Sequence, residues 1–375
     1  MSDCLTMRLF GKKTKGYLGI DFGAGGIKVV QLTSADNRGV LFTYGFSERE
    51  PNEMGTEYLE DVEASGALLK LICTKAKITT KEAVAALPIP SVFSAVLSLA
   101  PVPPKELPQA VKWEAKKLIP LPIEEVTLDF KELKFEEEAH HREKGSKEKQ
   151  QRATQEAKPE KSIAVLLTAA PKGIIERYIA IAKVANLTLT SLETEAFALI
   201  RAMIGTDPSP VVIVDIGAVR SNILFVDRGI PMLTRSVQIG GKKCTEAIAT
   251  SLGIDLGQAE AMKRDLSISG ALGTIAPTIS AVLKEVLEPL FNEIKYSVNV
   301  YRSRNTYARP SEKIILTGGG AGLPGLSELL TAEFNLRTFL GNPWERVNFH
   351  QDLTPVVATF SSRFAVAIGL ALRNI

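Results

Sequence analysis

The same pattern occurs twice in this chain, as YLGIDFGAGGIKVVQL at residues 17–32 and as VVIVDIGAVRSNILFV at residues 211–226. Aligned, the two stretches share an aspartate (Asp21 and Asp215) and, two residues later, a Gly-Ala pair, with apolar residues on either side. Each stretch predicts a strand that enters a tight glycine turn and returns as a second strand. A duplication of this kind predicts two like domains that face each other.

A strand that ends in Asp-x-Gly suits the binding of phosphate. Glycine lets a ligand approach the backbone closely, and successive N–H groups in such a turn form an anion cradle. The aspartate can orient Mg²⁺, which keeps most of its waters. One copy is weak evidence, because glycine-rich hairpins are common. Two copies predict a phosphate chain that is contacted from both sides.

A third glycine turn follows an apolar strand within residues 313–330, KIILTGGGAGLPGLSELL. Its three glycines open a predicted helix and allow a flat group such as adenosine to approach closely. The turn is not a Walker A loop, since no GKS or GKT follows. The first turn is not a Rossmann fingerprint either, because GAGG leads into another strand whereas that fingerprint opens a helix.

Composition limits the classes of function. The 375 residues carry a net charge of +3 and are 45% hydrophobic, which predicts a large core, two or more domains and no nucleic-acid binding. The three cysteines (Cys4, Cys73 and Cys244) form no CxxC pair, which predicts free thiols in a reducing compartment and no zinc site. His140 and His141 lie in a charged run, so a histidine metal cluster is not expected.

The pattern along the chain predicts a cytoplasmic protein. The N terminus lacks the apolar core of a secretory signal. Residues 83–102 are uncharged, but their prolines and the alternation over residues 92–99 predict a strand and not a membrane helix. Residues 136–160 contain no large apolar side chain, which predicts a solvated hairpin extension or a disordered loop. Residues 241–307 are mainly helical in pattern, and residues 207–210 (DPSP) mark an inter-domain joint.

The three glycine turns together resemble the superfamily of ATP-binding folds that includes actin, heat-shock chaperones and sugar kinases. Five further stretches narrow the match to one family. They are KWEAKKLIPLPIEEVTLDF, LETEAFALIRA, TRSVQIGGKKCTEAIA, AEAMKRD and FAVAIGLALR. In this order they closely resemble the PilM family, the cytoplasmic actin-like proteins of type IV pilus assembly. The resemblance covers nearly the whole chain, from about Phe10 to Ile375, and the cell-division protein FtsA is a more distant relative.

This resemblance implies an α/β fold of the actin-like (RNase H-like) duplicated ATPase type. Two lobes would surround a nucleotide cleft, and one of them would carry an FtsA-like 1C subdomain. The implied subdomains are 1A (residues 15–88, 171–207 and 356–375), 1C (residues 89–170, with the charged loop 136–160), 2A (residues 208–242 and 311–355) and 2B (residues 243–310).

The resemblance also implies the residues of an ATP site. The first phosphate loop would be Gly23, Ala24, Gly25 and Gly26, with Lys28 as a phosphate contact. The second would be Asp215, Gly217, Ala218 and Ser221, and Asp21 and Asp215 would orient Mg²⁺ through water. Gly240 and Gly241 would lie near the phosphates or ribose, and Glu260 and Lys263 would flank the adenosine, with Gly318, Gly319 and Gly320 on its other side. Glu193 would lie near the attacking water.

Simpler roles stay open for some of these residues. Lys28 would also suit a solvated strand position. Glu260 and Lys263 would also suit an i, i+3 pair on a helix surface, and Glu193 a cap of the helix that follows it.

The first loop departs from the family pattern. PilM proteins usually carry hydroxyl residues there, as in DIGSSSIK, whereas this chain has DFGAGGIK. Contacts from backbone N–H groups survive this change, but hydroxyl contacts to phosphate or Mg²⁺ do not. We therefore expect ATP and Mg²⁺ to bind, with weak hydrolysis or none.

The resemblance implies an ATP-binding scaffold of the pilus assembly platform. Its partner would be the N-terminal cytoplasmic tail of PilN, with PilO and the pilus motor ATPases reached indirectly, and the protein would sit at the cytoplasmic face of the inner membrane through these partners. The helix Leu107–Leu118 would form part of the peptide groove. Core packing is favoured for Trp113 on this helix, over a role as a peptide anchor.

Two other classes of function stay open from the same fold. One is a kinase of a small hydroxylated metabolite, which would need an acidic general base at a sugar pocket. The other is an FtsA-like polymerising protein, although the membrane-targeting amphipathic helix that ends FtsA has no counterpart here. Self-association is left open, and direct membrane insertion is not expected.

Overall fold

The computed structural model describes residues 16–55, 58–133, 162–269, 277–304 and 309–375. Its residues up to Pro90, together with Ile174–Ile375, form one compact unit, and those within Ser91–Gly173 form a second. The expectations for the charged loop 136–160, for the N-terminal segment with Cys4, and for His140 and His141 lie outside the described residues. The finer division into four subdomains stays a prediction.

The described residues contain fourteen strands. They are β1 (Tyr17–Gly23), β2 (Gly26–Ala35), β3 (Arg38–Phe46), β4 (Glu82–Leu87), β5 (Phe93–Leu99), β6 (Val126–Leu133), β7 (Ile163–Pro171), β8 (Thr188–Thr194), β9 (Val211–Ile216), β10 (Ser221–Asp227), β11 (Ile230–Val237), β12 (Lys313–Thr317), β13 (Arg337–Leu340) and β14 (Val347–Asn348).

Ten α-helices lie in the same described ranges. They are α1 (Val62–Lys75), α2 (Leu107–Leu118), α3 (Lys172–Val184), α4 (Glu195–Met203), α5 (Gly241–Leu252), α6 (Leu256–Ser269), α7 (Pro277–Arg304), α8 (Leu326–Phe334), α9 (Thr354–Phe360) and α10 (Ala365–Ala371). Helix α10 has a short 3₁₀ turn on each side, at Ser361–Phe364 and Leu372–Asn374.

The larger unit contains two sheets of the same design. One has the strand order β14-β3-β2-β1-β4-β8, and the other has the order β11-β10-β9-β12-β13. In each, an antiparallel hairpin (β1–β2 or β9–β10) is followed by a strand that pairs in parallel with the first strand of that hairpin (β4 or β12). The duplication predicted from the two Asp-x-Gly stretches is therefore present in the strand order as well.

Helices α4 and α10 join the two sheets. A single buried cluster contains Val84 of the first sheet, Ile213 of the second, Leu199 of α4 and Leu370 of α10. All seven residues of α10 are buried, because its sequence AVAIGLA has no polar side chain. Small residues let α10 lie close to α4: a Cβ added to Gly369 would overlap the carbonyl group of Ala198.

The smaller unit is a three-stranded antiparallel sheet, β5-β7-β6, and the strand predicted over residues 92–99 is confirmed as β5. Helix α2 packs through Leu107, Val111 and Ala115, which are buried. Our expectation that Trp113 packs in the core is wrong, since this residue is 61% exposed. The four-residue spacing of the buried positions places residue 113 on the outer face of the helix.

Within the described residues, no single helix has the length and apolar composition needed to span a membrane. One pair, Gln351–Ala358 with Ser361–Asn374, meets that test of length and composition only when its members are taken together across a 92° bend.

The packing of α10 on α4 can be tested at Gly369. We expect Gly369→Ala to lower the free energy of unfolding by about 2 kcal/mol or more, because the added methyl group overlaps backbone that cannot move aside. The matched control is Gly173→Ala in α3, where an added Cβ meets no atom within 4 Å. That change should be neutral or stabilising by up to about 1 kcal/mol. Urea unfolding of both variants would show equal midpoints if the account of α10 is wrong.

Candidate functional site

A cavity of about 380 Å³ lies in the larger unit, between the turns of its two hairpins. Most of the residues that we predicted for a nucleotide site line it. These are Asp21, Gly23, Ala24, Gly25, Lys28, Asp215, Gly217, Ala218, Gly241, Glu260, Lys263, Gly318, Gly319 and Gly320. Residues far apart in the chain are thus brought to one place by the pairing of the two sheets.

The first hairpin presents an aspartate and a lysine side by side. Asp21 and Lys28 are partners across β1 and β2, and Lys28 Nζ lies 3.2 Å from Asp21 Oδ2. Asp21 is only 6% exposed, so its carboxylate needs this partner. Lys28 is therefore not a solvated strand residue, and its ammonium group faces the cavity as a candidate phosphate contact.

The second hairpin repeats this arrangement with a neutral partner. Asp215 pairs with Asn222 across β9 and β10, and Asn222 Nδ2 donates a hydrogen bond of 3.2 Å to Asp215 Oδ2. Burial raises the pKa of Asp215 to about 6, against the lowering effect of that hydrogen bond. We did not single out Asn222 from the sequence, although the alignment places it opposite Lys28.

The turns of the two hairpins approach each other across the cavity. A Cβ built on Gly25 would lie 3.1 Å from the Cβ of Ala218. The second turn is stiffened by its own backbone, since the Gly217 N–H donates to the Arg220 carbonyl over 2.9 Å. It is also fixed to the start of α5, where the Gly241 N–H donates to the Gly217 carbonyl over 2.9 Å. Both glycine turns therefore offer backbone to one shared space.

The third glycine turn lies directly beside the second hairpin. Gly318 has a φ of +88°, which favours glycine, and a Cβ at this position would overlap Asp215 Oδ1. The Gly320 N–H donates to the Ile216 carbonyl over 2.8 Å. Any side chain at residue 318 would thus displace Asp215, the aspartate of β9.

Glu260 and Lys263 form a buried network at another part of the cavity. Lys263 Nζ lies 2.6 Å from Glu260 Oε2 and donates to Thr245 Oγ1 over 2.8 Å and to the Gly241 carbonyl over 3.0 Å. Burial raises the pKa of Glu260, but its contacts with Lys263 outweigh this and hold the pKa below its ordinary value. The pair is thus more than an exposed helix-surface contact, since it anchors α6 to the start of α5.

Glu48 connects three parts of the chain at the edge of the same cavity. Its Oε2 accepts from Arg264 of α6 over 3.1 Å, and its Oε1 lies 2.8 Å from Arg363 NH1, in the 3₁₀ turn before α10. All three side chains line the cavity. Sequence reasoning did not identify this cluster, because Glu48 is more than 200 residues from both arginines and the three residues form no local motif.

Three of the predicted residues support the cavity from behind. Gly26 has a φ of +145° and packs against the Ser47 carbonyl. Ser221 is fully buried and donates its hydroxyl to the Ile239 carbonyl over 2.6 Å. A Cβ at Gly240 would lie 2.7 Å from the Gly217 oxygen. None of the three is among the residues that line the cavity.

Glu193, the predicted neighbour of the attacking water, does not line the cavity. Its carboxylate forms a two-point contact with Arg201, at 2.8 and 3.0 Å, and lies 3.3 Å from Arg373. The acidic residue of this segment that does reach the cavity is Glu195, two positions later and first in α4. The strand-to-helix change at Thr194 decides which of the two carboxylates faces inward.

Glu195 is held from two sides and is 7% exposed. Its Oε2 accepts from the Ile89 N–H over 3.0 Å and from Asn222 Nδ2 over 3.4 Å. Burial raises the pKa of Glu195 to about 7, although the nearby Arg220 guanidinium opposes this shift. Such a carboxyl can exchange a proton near neutral pH, as a general base requires.

The described residues contain no group of three or more His, Cys, Asp or Glu side chains placed to hold a metal ion directly. Asp21 and Asp215 nevertheless both line the cavity. Two carboxylates on one cavity suit Mg²⁺, which binds through few protein ligands and retains most of its hydration.

The raised pKa of Glu195 makes a testable contribution to stability. The unfolded chain ionises this carboxyl from about pH 4.5, and the folded chain only near pH 7. The free energy of unfolding should therefore fall as pH rises through this window, by about 3 kcal/mol at most. In Glu195→Gln this part of the pH dependence should disappear.

Urea unfolding at several pH values between 4.5 and 8 would measure this difference. Glu345→Gln, at an exposed position, is the control and should follow the wild type. Parallel curves for Glu195→Gln and wild type would contradict the raised pKa of this buried carboxyl.

Comparison with known proteins is consistent with this geometry. A model of the family described as type IV pilus assembly protein PilM matches residues 19–144 and 150–375. A chain of a PilM–PilN type IV pilus biogenesis complex superposes with a TM-score of 0.75 at 26% identity, covering 95% of this chain and 98% of that one.

Two further solved structures share the fold at lower identity. The ethanolamine utilization protein EutJ from Carboxydothermus hydrogenoformans has a TM-score of 0.56 at 15% identity, with 98% of this chain and 91% of that chain covered. MreB5 of Spiroplasma citri bound to ADP has a TM-score of 0.51 at 14% identity, with 95% of each chain covered. The predicted actin-like fold, with its duplicated α/β design, is confirmed.

Proposed function

The chain belongs to the family of the type IV pilus assembly protein PilM, and from this membership we propose that it is an ATP-binding scaffold of the pilus assembly platform. The observation that carries the nucleotide part of the proposal is the cavity between two copies of one Asp-x-Gly hairpin. Family membership also favours the scaffold over the small-metabolite kinase and the FtsA-like polymer.

The residues that line the cavity fit a nucleotide with Mg²⁺. The turns at Gly23–Gly25 and Gly217–Val219 offer backbone and little side chain, as close approach by phosphates requires. Asp21 and Asp215 would orient Mg²⁺ through water, and Lys28 would contact phosphate. When bound, the metal would supply charge neutralisation for the phosphate chain. The same fold accommodates ADP in MreB5.

Glu260 and Lys263 would flank the adenosine, with the Gly318–Gly320 turn on its other side. All of these residues line the cavity. The close backbone of the glycine turn suits a flat base or ribose face, and the buried ion pair provides polar groups at a fixed position.

Hydrolysis is expected to be weak or absent. The first turn lacks hydroxyl side chains, and the hydroxyl of Ser221 in the second hairpin is already donated to the Ile239 carbonyl. Binding through backbone N–H groups needs neither. Nucleotide would then act mainly as a ligand that selects one arrangement of the scaffold.

The proposed partner is the N-terminal cytoplasmic tail of PilN. A structure of a PilM–PilN complex contains a chain 26% identical to this one. Through PilN, and indirectly through PilO and the motor ATPases, the protein would work at the cytoplasmic face of the inner membrane. ATP would alter the affinity for the tail only if it binds one arrangement of the scaffold better than the other.

Calorimetric titration with ATP and Mg²⁺ tests the nucleotide site. We expect Asp215→Ala to weaken ATP binding by about tenfold or more when Mg²⁺ is present, because it removes a carboxylate that orients the metal. The loss should be smaller in EDTA. Asp352→Ala, at an exposed position, is the matched control and should bind as the wild type does. Well-folded wild type that binds no ATP would refute the nucleotide-binding part of the proposal.

The same titration with a PilN tail peptide tests the partner. We expect the peptide to bind wild type with an affinity that changes when a hydrolysis-resistant ATP analogue is present. A scrambled peptide is the control and should not bind. Equal peptide affinity with and without nucleotide would refute the coupling between nucleotide binding and partner binding. The protein would then act as an adaptor whose affinity for PilN does not depend on nucleotide.

A further inference from the structure

Arg220 occupies a distinctive place in the duplicated hairpins. It is the last residue of the second turn, immediately before β10, and its carbonyl accepts the Gly217 N–H over 2.9 Å. In the alignment of the two hairpins it corresponds to Gly26. The second hairpin therefore places a guanidinium where the first has no side chain, and that side chain lines the cavity.

The cavity-facing cations differ in how firmly they are held. Lys263 lies 2.6 Å from Glu260, Arg363 lies 2.8 Å from Glu48, and Lys28 lies 3.2 Å from Asp21. Arg220 NH2 lies 3.7 Å from Glu195 Oε1, which is an attraction between charges but beyond hydrogen-bonding distance. Two further cations line the cavity and are also hydrogen-bonded, Arg264 to Glu260 and Glu48, and Lys242 to the Met54 carbonyl over 3.0 Å. Less bonding is therefore lost when Arg220 turns to a new anion than when the other five do.

Glu195, by contrast, keeps its position without Arg220. Its other oxygen accepts hydrogen bonds from the Ile89 N–H and from Asn222, and its backbone begins α4. An anion that entered the cavity could therefore draw the guanidinium away from Glu195 while the carboxylate stayed in place.

We propose that Arg220 recognises the terminal phosphate of a bound nucleoside triphosphate, and that it exchanges its contact with Glu195 for a contact with that phosphate. This inference rests on the nucleotide site proposed above. Helix α6 reaches the start of α5 through the contact of Lys263 with the Gly241 carbonyl, and the Gly241 N–H in turn donates to Gly217, at the beginning of the second turn. Glu195 meets the other end of that turn, at Arg220 and Asn222. A nucleoside seated against α6 would thus direct its last phosphate toward Arg220.

The chemistry favours the exchange only for a triphosphate. A guanidinium makes short, paired hydrogen bonds to phosphate oxygens, which are stronger than the 3.7 Å ion pair with a carboxylate. A diphosphate has no group at that place, so Arg220 would stay with Glu195. Arg220 would therefore contact the terminal phosphate when a triphosphate is bound and Glu195 when a diphosphate is bound. Glu195 is the first residue of α4, so the start of this helix would differ in its contacts between the two nucleotide states.

Binding measurements on Arg220→Gln test the proposal. The ligands are ADP and a hydrolysis-resistant ATP analogue, each titrated with Mg²⁺ into the full chain. We expect the affinity for the ATP analogue to fall about tenfold or more, and the affinity for ADP to change by less than about twofold. Arg220→Lys, which keeps the charge but not the paired donors, should lose less. Arg302→Gln, exposed on α7, is the control and should change neither affinity.

Glu195→Gln provides the converse test. Removing the competing negative charge should free Arg220, so the ATP analogue should bind more tightly while ADP is little affected. Equal losses for both nucleotides in Arg220→Gln, or no loss for either, would overturn the proposal while leaving the nucleotide site intact. Wild type that binds neither nucleotide would overturn both. Thermal unfolding of each variant identifies any that fail to fold, and the Arg220→Lys and Glu195→Gln results then decide.

Discussion

The structure depends on two aspartates near the ends of equivalent strands in two equivalent sheets: Asp21, which is buried, and Asp215, which is partly buried. A carboxylate in such a place is costly unless a partner is built beside it, and each hairpin supplies one on its returning strand: Lys28 for Asp21 and Asn222 for Asp215. The turn between the two strands begins with the same two small residues in each hairpin, Gly23–Ala24 and Gly217–Ala218. Because these residues have little or no side chain, the turns that follow the paired aspartates expose the backbone that a phosphate chain would contact.

The features encoded in short local stretches were predictable from the sequence. The hairpins, the glycine turns and the duplication follow from spacing and residue type, and the pair at Glu260 and Lys263 was found through the resemblance to one family. Asn222 was within reach of the same alignment, since it lies as far after Asp215 as Lys28 does after Asp21. The structure adds the reason that residue 318 is glycine: a Cβ at this position would overlap the carboxylate of Asp215.

Two kinds of feature were not predictable from the sequence: those that depend on where a strand or helix begins and which face it buries, and those that depend on contacts between distant residues. The choice between Glu193 and Glu195 depends on where β8 ends and α4 begins. A shift of two residues exchanges a largely buried ion pair with Arg201 for a position in the cavity. Trp113 was misjudged because its helix has a narrow buried face. The cluster of Glu48, Arg264 and Arg363 exists only once the sheets and α6 are assembled.

The central claim is that the two hairpins form one nucleotide site. The most direct measurement is a crystal structure of the protein with Mg²⁺ and a hydrolysis-resistant ATP analogue. The account predicts phosphate oxygens within hydrogen-bonding distance of backbone N–H groups in both turns, Gly23–Gly25 and Gly217–Val219. A nucleotide bound elsewhere, or one contacted by a single hairpin, would contradict it.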